Sequence, residues 1–153
     1  MKLSTNFTLD ELTKSPTALR LGINNTPGPA YINNLRLLCM HILQPVREYF
    51  GKPVVINSGY RSASLNQAMG GSHTSQHMYG QAADIEIPGV SNDILWQYIE
   101  RNLKYDQVIA EYLKADDARA GWVHVSWKSE GNRQEALSCV AQGLYVKGLE
   151  YVA

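Results

Sequence analysis

Two periodicities alternate along the chain. Apolar residues three and four positions apart mark helices, and strict apolar–polar alternation marks strands buried on one face. From Tyr31 to Phe50 the helical spacing runs through Leu35, Leu38, Ile42 and Val46. Pro45 within that stretch predicts a bend or division, because proline lacks a backbone donor and crowds the preceding turn. Gly51-Lys52-Pro53 ends the helix. A shorter helix is expected near the N-terminus, where Thr8-Leu9-Asp10-Glu11 has the spacing of a capping box. The connector INNTPGPA, residues 23 to 30, is rich in turn formers. A brief helix should begin near Ser62, and an amphipathic one should run from Ser91 to Leu103 with Ile94, Tyr98 and Leu103 facing inward.

The β-branched run Val54-Val55-Ile56 predicts a buried strand. Ala82 to Ile87, Tyr105 to Tyr112 and Gly121 to Trp127 alternate as strands, the last two joined by LKADDARA, short enough for a hairpin. The end, EALSCVAQGLYVKGLEYV, fits either a helix or two short strands; Gly143 and Gly148 favour strands. With no repeat, low-complexity tract or long linker, residues 1–153 read as one domain. The class is α+β, an antiparallel β-sheet flanked by helices.

Strand parity then brings chemistry to one side. In WVHVSW, Trp122, His124 and Ser126 share a face; in AADIEI, Ala82, Asp84 and Glu86 do; in DQVIAEY, Gln107, Ile109 and Glu111 do. If these strands are neighbours, Asp84, Glu111 and His124 project into one concavity, with His77 on the preceding loop above it. Two imidazoles and one carboxylate are the protein share of a catalytic zinc site, leaving a fourth position for water. A separate carboxylate is then needed to move the water's proton. Taken alone, a strand histidine such as His124 is more often a hydrogen-bonded core residue than a ligand; the lesser readings are Arg61 as a surface ion pair and Glu111 as the partner of a basic neighbour.

Charge removes other classes. Fourteen basic residues balance fourteen acidic ones and are scattered, so nucleic acid is not an expected partner. Cys39 and Cys139 leave a disulfide open, but the apolar run LRLLCMHIL around Cys39 favours a buried thiol. The opening MKLSTNFTLDELTKS has no apolar run of signal-peptide length, and no stretch is apolar enough to span a bilayer. The expectation is a monomer made in the cytoplasm, without membrane insertion.

The motif Ser75-x-His77-x-x-Gly80-x-Ala82-x-Asp84, followed by His124 in a Trp-Val-His strand, resembles the zinc D-alanyl-D-alanine carboxypeptidase family. That family belongs with the LAS metallopeptidases and the hedgehog signalling domain. SGYRS at 58 to 62 with Leu65-Asn66 is another of its landmarks, and FTLDELTKS, the NNTP turn and LQPVRE are similar to small phage and prophage members. The resemblance implies a hedgehog/DD-peptidase-like fold with Zn2+ held by His77, Asp84 and His124. It implies that Arg61 holds a substrate carboxylate and that Ser75 helps place the substrate. Gly80 and Ala82 would keep the turn between His77 and Asp84 small. Some relatives carry a Glu three residues before the last His, where this chain has Gly121, and others a His two before it, where this chain has Trp122. The phage-type pattern Asp-Gln-x-Ile-x-Glu fits residues 106 to 111 and makes Glu111 the catalytic base, with Trp122 a wall of the substrate cleft.

The implied activity is hydrolysis of peptidoglycan stem peptides, of D-Ala-D-Ala carboxypeptidase or endopeptidase type, after release from the cell or on a phage particle. An alanyl-glutamate endopeptidase and a zinc-containing peptidoglycan-binding module without turnover are the alternatives.

Overall fold

The computed structural model describes all 153 residues. A two-stranded ribbon, β1 (Lys2–Ser4) and β2 (Phe7–Thr8), leads into α1 (Leu9–Thr13) and α2 (Pro16–Leu21). Thr8 caps α1 as expected, its hydroxyl accepting from the Glu11 N–H while the Glu11 side chain accepts from the Thr8 N–H. The long helical stretch is α3 (Pro29–Leu38), a π-helical turn (Cys39–Leu43) and α4 (Gln44–Phe50). Pro45 thus divides the stretch upstream of itself. The widened turn relieves the crowding of the proline ring against the His41 carbonyl, four residues back. Gly51 ends α4 in the left-handed region, at φ 62°.

β3 (Val55–Ser58), α5 (Ala63–Ala68), a 3₁₀ turn (Gln76–Tyr79), β4 (Ala82–Glu86), α6 (Asn92–Asn102), β5 (Gln107–Glu111), β6 (Trp122–Ser126), β7 (Glu135–Ala141) and β8 (Leu144–Lys147) follow. The C-terminal region resolves into the strand pair β7–β8. Six strands form one sheet in the order β3-β4-β6-β5-β7-β8. Four of its five pairings are antiparallel, but β5 and β7 run parallel, which departs from the all-antiparallel expectation. The reason is that β6 already occupies one side of β5. The chain therefore crosses the start of β5 before pairing on its other side.

Asp106 holds that crossing. Its buried carboxylate accepts from the Arg133 backbone N–H at 2.9 Å and from Arg133 Nη2 at 2.7 Å, while its carbonyl accepts from Glu135 N–H. Burial opposes ionisation, yet the Arg133 bonds outweigh it and hold the carboxyl below its usual range. A depressed folded pKa stabilises above the unfolded value and loses that contribution as pH falls through the folded one. Asp106→Asn should therefore cost about 2 kcal/mol at neutral pH and flatten the acid side of a denaturation-midpoint profile. An unchanged midpoint at pH 7 would show that the crossing is held by something else.

One face of the sheet packs Ile85, Val108, Ala110, Val123 and Val125 against Leu35, Leu38, Ile42 and Val46 of the long helical stretch and Leu95 and Ile99 of α6. Two sequence expectations shift here. Val55 is exposed and Ile56 half-buried, because β3 is an edge strand. Ile94 is exposed, because α6 turns Leu95, Trp96 and Ile99 inward, with only part of Tyr98 joining them. Both cysteines are buried free thiols, and burial pushes that of Cys39 up to about 12. No helix is long and apolar enough to cross a membrane.

Candidate metal centre

The sheet's other face carries the polar groups. β6 lies between β4 and β5, with Asp84 directly opposite His124 and Trp122 opposite Glu111. Because paired residues on adjacent strands share a face, parity plus this register places all four side chains on one surface. His124 Nδ1 lies 3.0 Å from Asp84 Oδ1. His77 arrives from the 3₁₀ turn, its Nε2 3.4 Å from Asp84 Oδ2. One ligand atom from each of the three residues falls within 4.8 Å of the others.

Local sequence explains how His77 is aimed. Ser75 caps the turn, its Oγ accepting from the His77 N–H at 3.3 Å. Gly80 closes it at φ 70°, and a Cβ there would stand 2.5 Å from the Tyr31 carbonyl oxygen, so only glycine fits. The His77 Nδ1–H donates to the Gly59 carbonyl at 2.7 Å, which leaves the Nε2 lone pair facing Asp84. Gly59 is itself pressed against α1: a Cβ on it would lie 2.3 Å from the Leu12 carbonyl oxygen, and Tyr60 N–H donates to that same oxygen at 2.7 Å. The N-terminal helix therefore sets the position of a metal-facing imidazole.

Electrostatics suit a cation. Burial lowers the pKa of His77 despite Asp84, which favours the neutral imidazole that ligation needs. Burial opposes charge on Asp84 as well. There the contacts with His77 and His124 prevail and keep the carboxyl well below its ordinary range. Two neutral-capable imidazoles and one carboxylate fit a divalent metal of the zinc type and leave a tetrahedral position for another ligand.

Arg61 stands at the edge of this group. Its Nε donates to Ser58 Oγ at 2.9 Å, and its outer nitrogens reach Asn66 Oδ1 and Asp84 Oδ2, each at 3.4 Å. The Arg61 N–H also donates to the His77 carbonyl at 3.0 Å, tying the two segments together. Glu111 is half-buried and makes no side-chain hydrogen bond or ion pair. Burial raises its pKa; Asp84 adds to that rise, while His124 and Arg61 oppose it. Trp122 is half-buried, its ring tilted against Tyr112 with centroids 5.7 Å apart.

His73 is exposed and outside the group. His41 is exposed and stacks on Trp127, with ring centroids 4.0 Å apart. Sequence pattern does not single out the Gly59 carbonyl or Ser58, although both lie inside the SGYRS landmark. A backbone acceptor leaves no side-chain signature, so only its presence next to a required arginine hints at it.

A 50-residue stretch is 46% identical to the zinc D-Ala-D-Ala carboxypeptidase of Streptomyces albus G, covering 32% of this chain and 20% of that protein. The aligned part thus reaches only about a fifth of the relative's length. Residues 5–126 match the family model for Peptidase M15. Since that match runs from just before β2 to the end of β6 and so includes the scaffold that assembles the metal group, the chain belongs to the Peptidase M15 family.

Proposed function

We propose that this chain is a zinc-dependent peptidase that hydrolyses peptide bonds in bacterial peptidoglycan stem peptides, of the D-Ala-D-Ala carboxypeptidase or endopeptidase type. The observation that carries this is the His77–Asp84–His124 group, gathered within 4.8 Å beside a half-buried carboxylate without a partner. The relative's name and the M15 match support the reaction class and the substrate. Zinc, when bound to the three residues, supplies Lewis-acid polarisation and a water acidic enough to ionise near neutral pH.

The chain's own residues do the rest. Glu111 takes the proton of the attacking water on a carboxylate oxygen and returns it to the leaving amine; its half-buried carboxylate has no hydrogen-bond or ion-pair partner to compete for that proton. Arg61 is anchored through Nε, so its two outer nitrogens turn from their long 3.4 Å contacts to grip a substrate carboxylate. Ser75 uses its oxygen as an acceptor for His77, which leaves its hydroxyl hydrogen to donate to substrate. Trp122 forms one wall of the cleft and limits water beside Glu111. The resemblance to phage-type sequences extends the proposal to an enzyme that meets the wall after release or on a particle.

Purified protein incubated with cell wall, with and without a chelator, tests the proposal. Free D-alanine or shorter stem peptides should appear, vanish with chelator and return with added zinc. Release of alanine–glutamate cleavage products instead would move the activity to that bond. Binding of zinc and wall fragments with no new amino or carboxyl ends would leave a binding module and defeat the peptidase reading.

A further inference from the structure

The face that carries the metal group does not stop at Asp84. Glu86 follows two positions along β4, about 7 Å further on, one step past the last β4–β6 pair, Ile85 with Val123, on the side of Trp122. There it borders a cavity of about 350 Å³ between the residues after β4 and the β5–β6 hairpin. Glu86 lines it from the sheet, Arg119 from the hairpin, and Pro88 and Gly89 from the loop between. Asn92 fixes the far wall: buried at the start of α6, it donates through Nδ2 to the carbonyls of Ala120 and Gly121, both at 3.2 Å.

Two opposite charges thus face one cavity, and neither is used. Glu86 and Arg119 are absent from every ion pair in the molecule, and neither side chain makes a hydrogen bond. Lining one cavity from the sheet and from the hairpin, they complement a ligand that brings both signs. An extended peptide advances about 3.3 Å per residue. A substrate with its scissile carbonyl at the metal group therefore brings a side chain over Glu86 one or two residues before the cleaved bond.

We propose that this cavity is the subsite for a stem-peptide residue whose side chain ends in both an ammonium and a carboxylate. Glu86 accepts from the ammonium, and Arg119 donates to the carboxylate. The identity of the ligand as a stem peptide rests on the peptidase reading; the charge preference rests on the cavity alone.

Three synthetic stem peptides, identical except for 2,6-diaminopimelate, lysine or norleucine at the third residue, decide the matter when titrated calorimetrically into the zinc-loaded Glu111→Gln protein, which turns them over too slowly to disturb the titration. With the cavity residues wild type, the first should bind about fivefold more tightly than the second, and the second about fivefold more tightly than the third, as solvent-exposed charge contacts allow. Arg119→Gln should close the gap between the first two, and Glu86→Gln the gap between the last two. Equal affinity for all three, no binding of any, or variants that keep the wild-type order would overturn the subsite. Cleavage is scored separately, on the wild type. Ordered binding without hydrolysis would sink the peptidase reading and leave the subsite standing, and hydrolysis with equal affinities would do the reverse.

Discussion

Asp84→Asn should abolish stoichiometric zinc binding and lower stem-peptide hydrolysis by about three orders of magnitude or more. Asp84 is the centre of the group: it touches His77, His124 and Arg61, at 3.4, 3.0 and 3.4 Å. Asparagine keeps the shape of the side chain and loses the anion, so a dication would face two neutral imidazoles and the Arg61 charge. The geometry of the sheet should survive, because Asp84 lies outside the apolar face that binds the helices. Metal analysis after dialysis, together with circular dichroism, separates loss of the ion from loss of the fold. A folded Asp84→Asn protein that still carries one zinc per chain would show that the ion is held elsewhere.

The second expectation concerns turnover rather than binding. Glu111→Gln should leave zinc content intact and reduce kcat by about a hundredfold to ten-thousandfold, the range for removing a positioned base. KM should move much less, since the Glu111 side chain makes no hydrogen bond or ion pair with Arg61 or Ser75, the groups proposed to hold the substrate's polar ends. The wild-type pH profile carries the matching signature. A base works deprotonated, so activity is present above its pKa and lost as pH falls through it. Burial raises that pKa while a bound dication would lower it, so the signature is the acid limb of kcat/KM itself, which Glu111→Gln should remove. A Glu111→Gln protein with wild-type kcat would remove Glu111 from the chemistry and return the role of base to an open question among the groups around the metal.

Much of this centre is legible residue by residue. Alternation in AADIEI and WVHVSW assigns Asp84 and His124 to polar faces whichever strands they pair with, because side-chain direction in a strand follows from pleating alone. The capping box at Thr8, the cap at Ser62 and the glycine that closes α4 are equally local: each is a contact spanning three or four residues. Other features fail to show for the same reason in reverse. The buried strand expected at Val54 to Ile56 is an edge because of which strands pair beyond it, and Ile94 is exposed because of how α6 rotates onto the sheet. Of the DQVIAE pattern, Asp106 is a structural brace for the β6–β7 crossing, and only Glu111 reaches the metal face. Sequence pattern groups the two residues; their partners separate them.

From the order of its residues alone the chain declares its longer helices and its central strands, the polar side of each of those strands, and the residue types a zinc hydrolase needs. Those are consequences of backbone geometry and short-range steric rules, which act within a turn or a pleat. Long-range packing settles that β4 and β6 are neighbours, that Asp84 faces His124 across 40 positions of chain, and that a glycine carbonyl 18 residues before His77 orients its ring. The same packing leaves Glu86 and Arg119 facing one cavity unpaired. Such placements arise from the burial of one shared apolar face, a cooperative outcome that no local window contains.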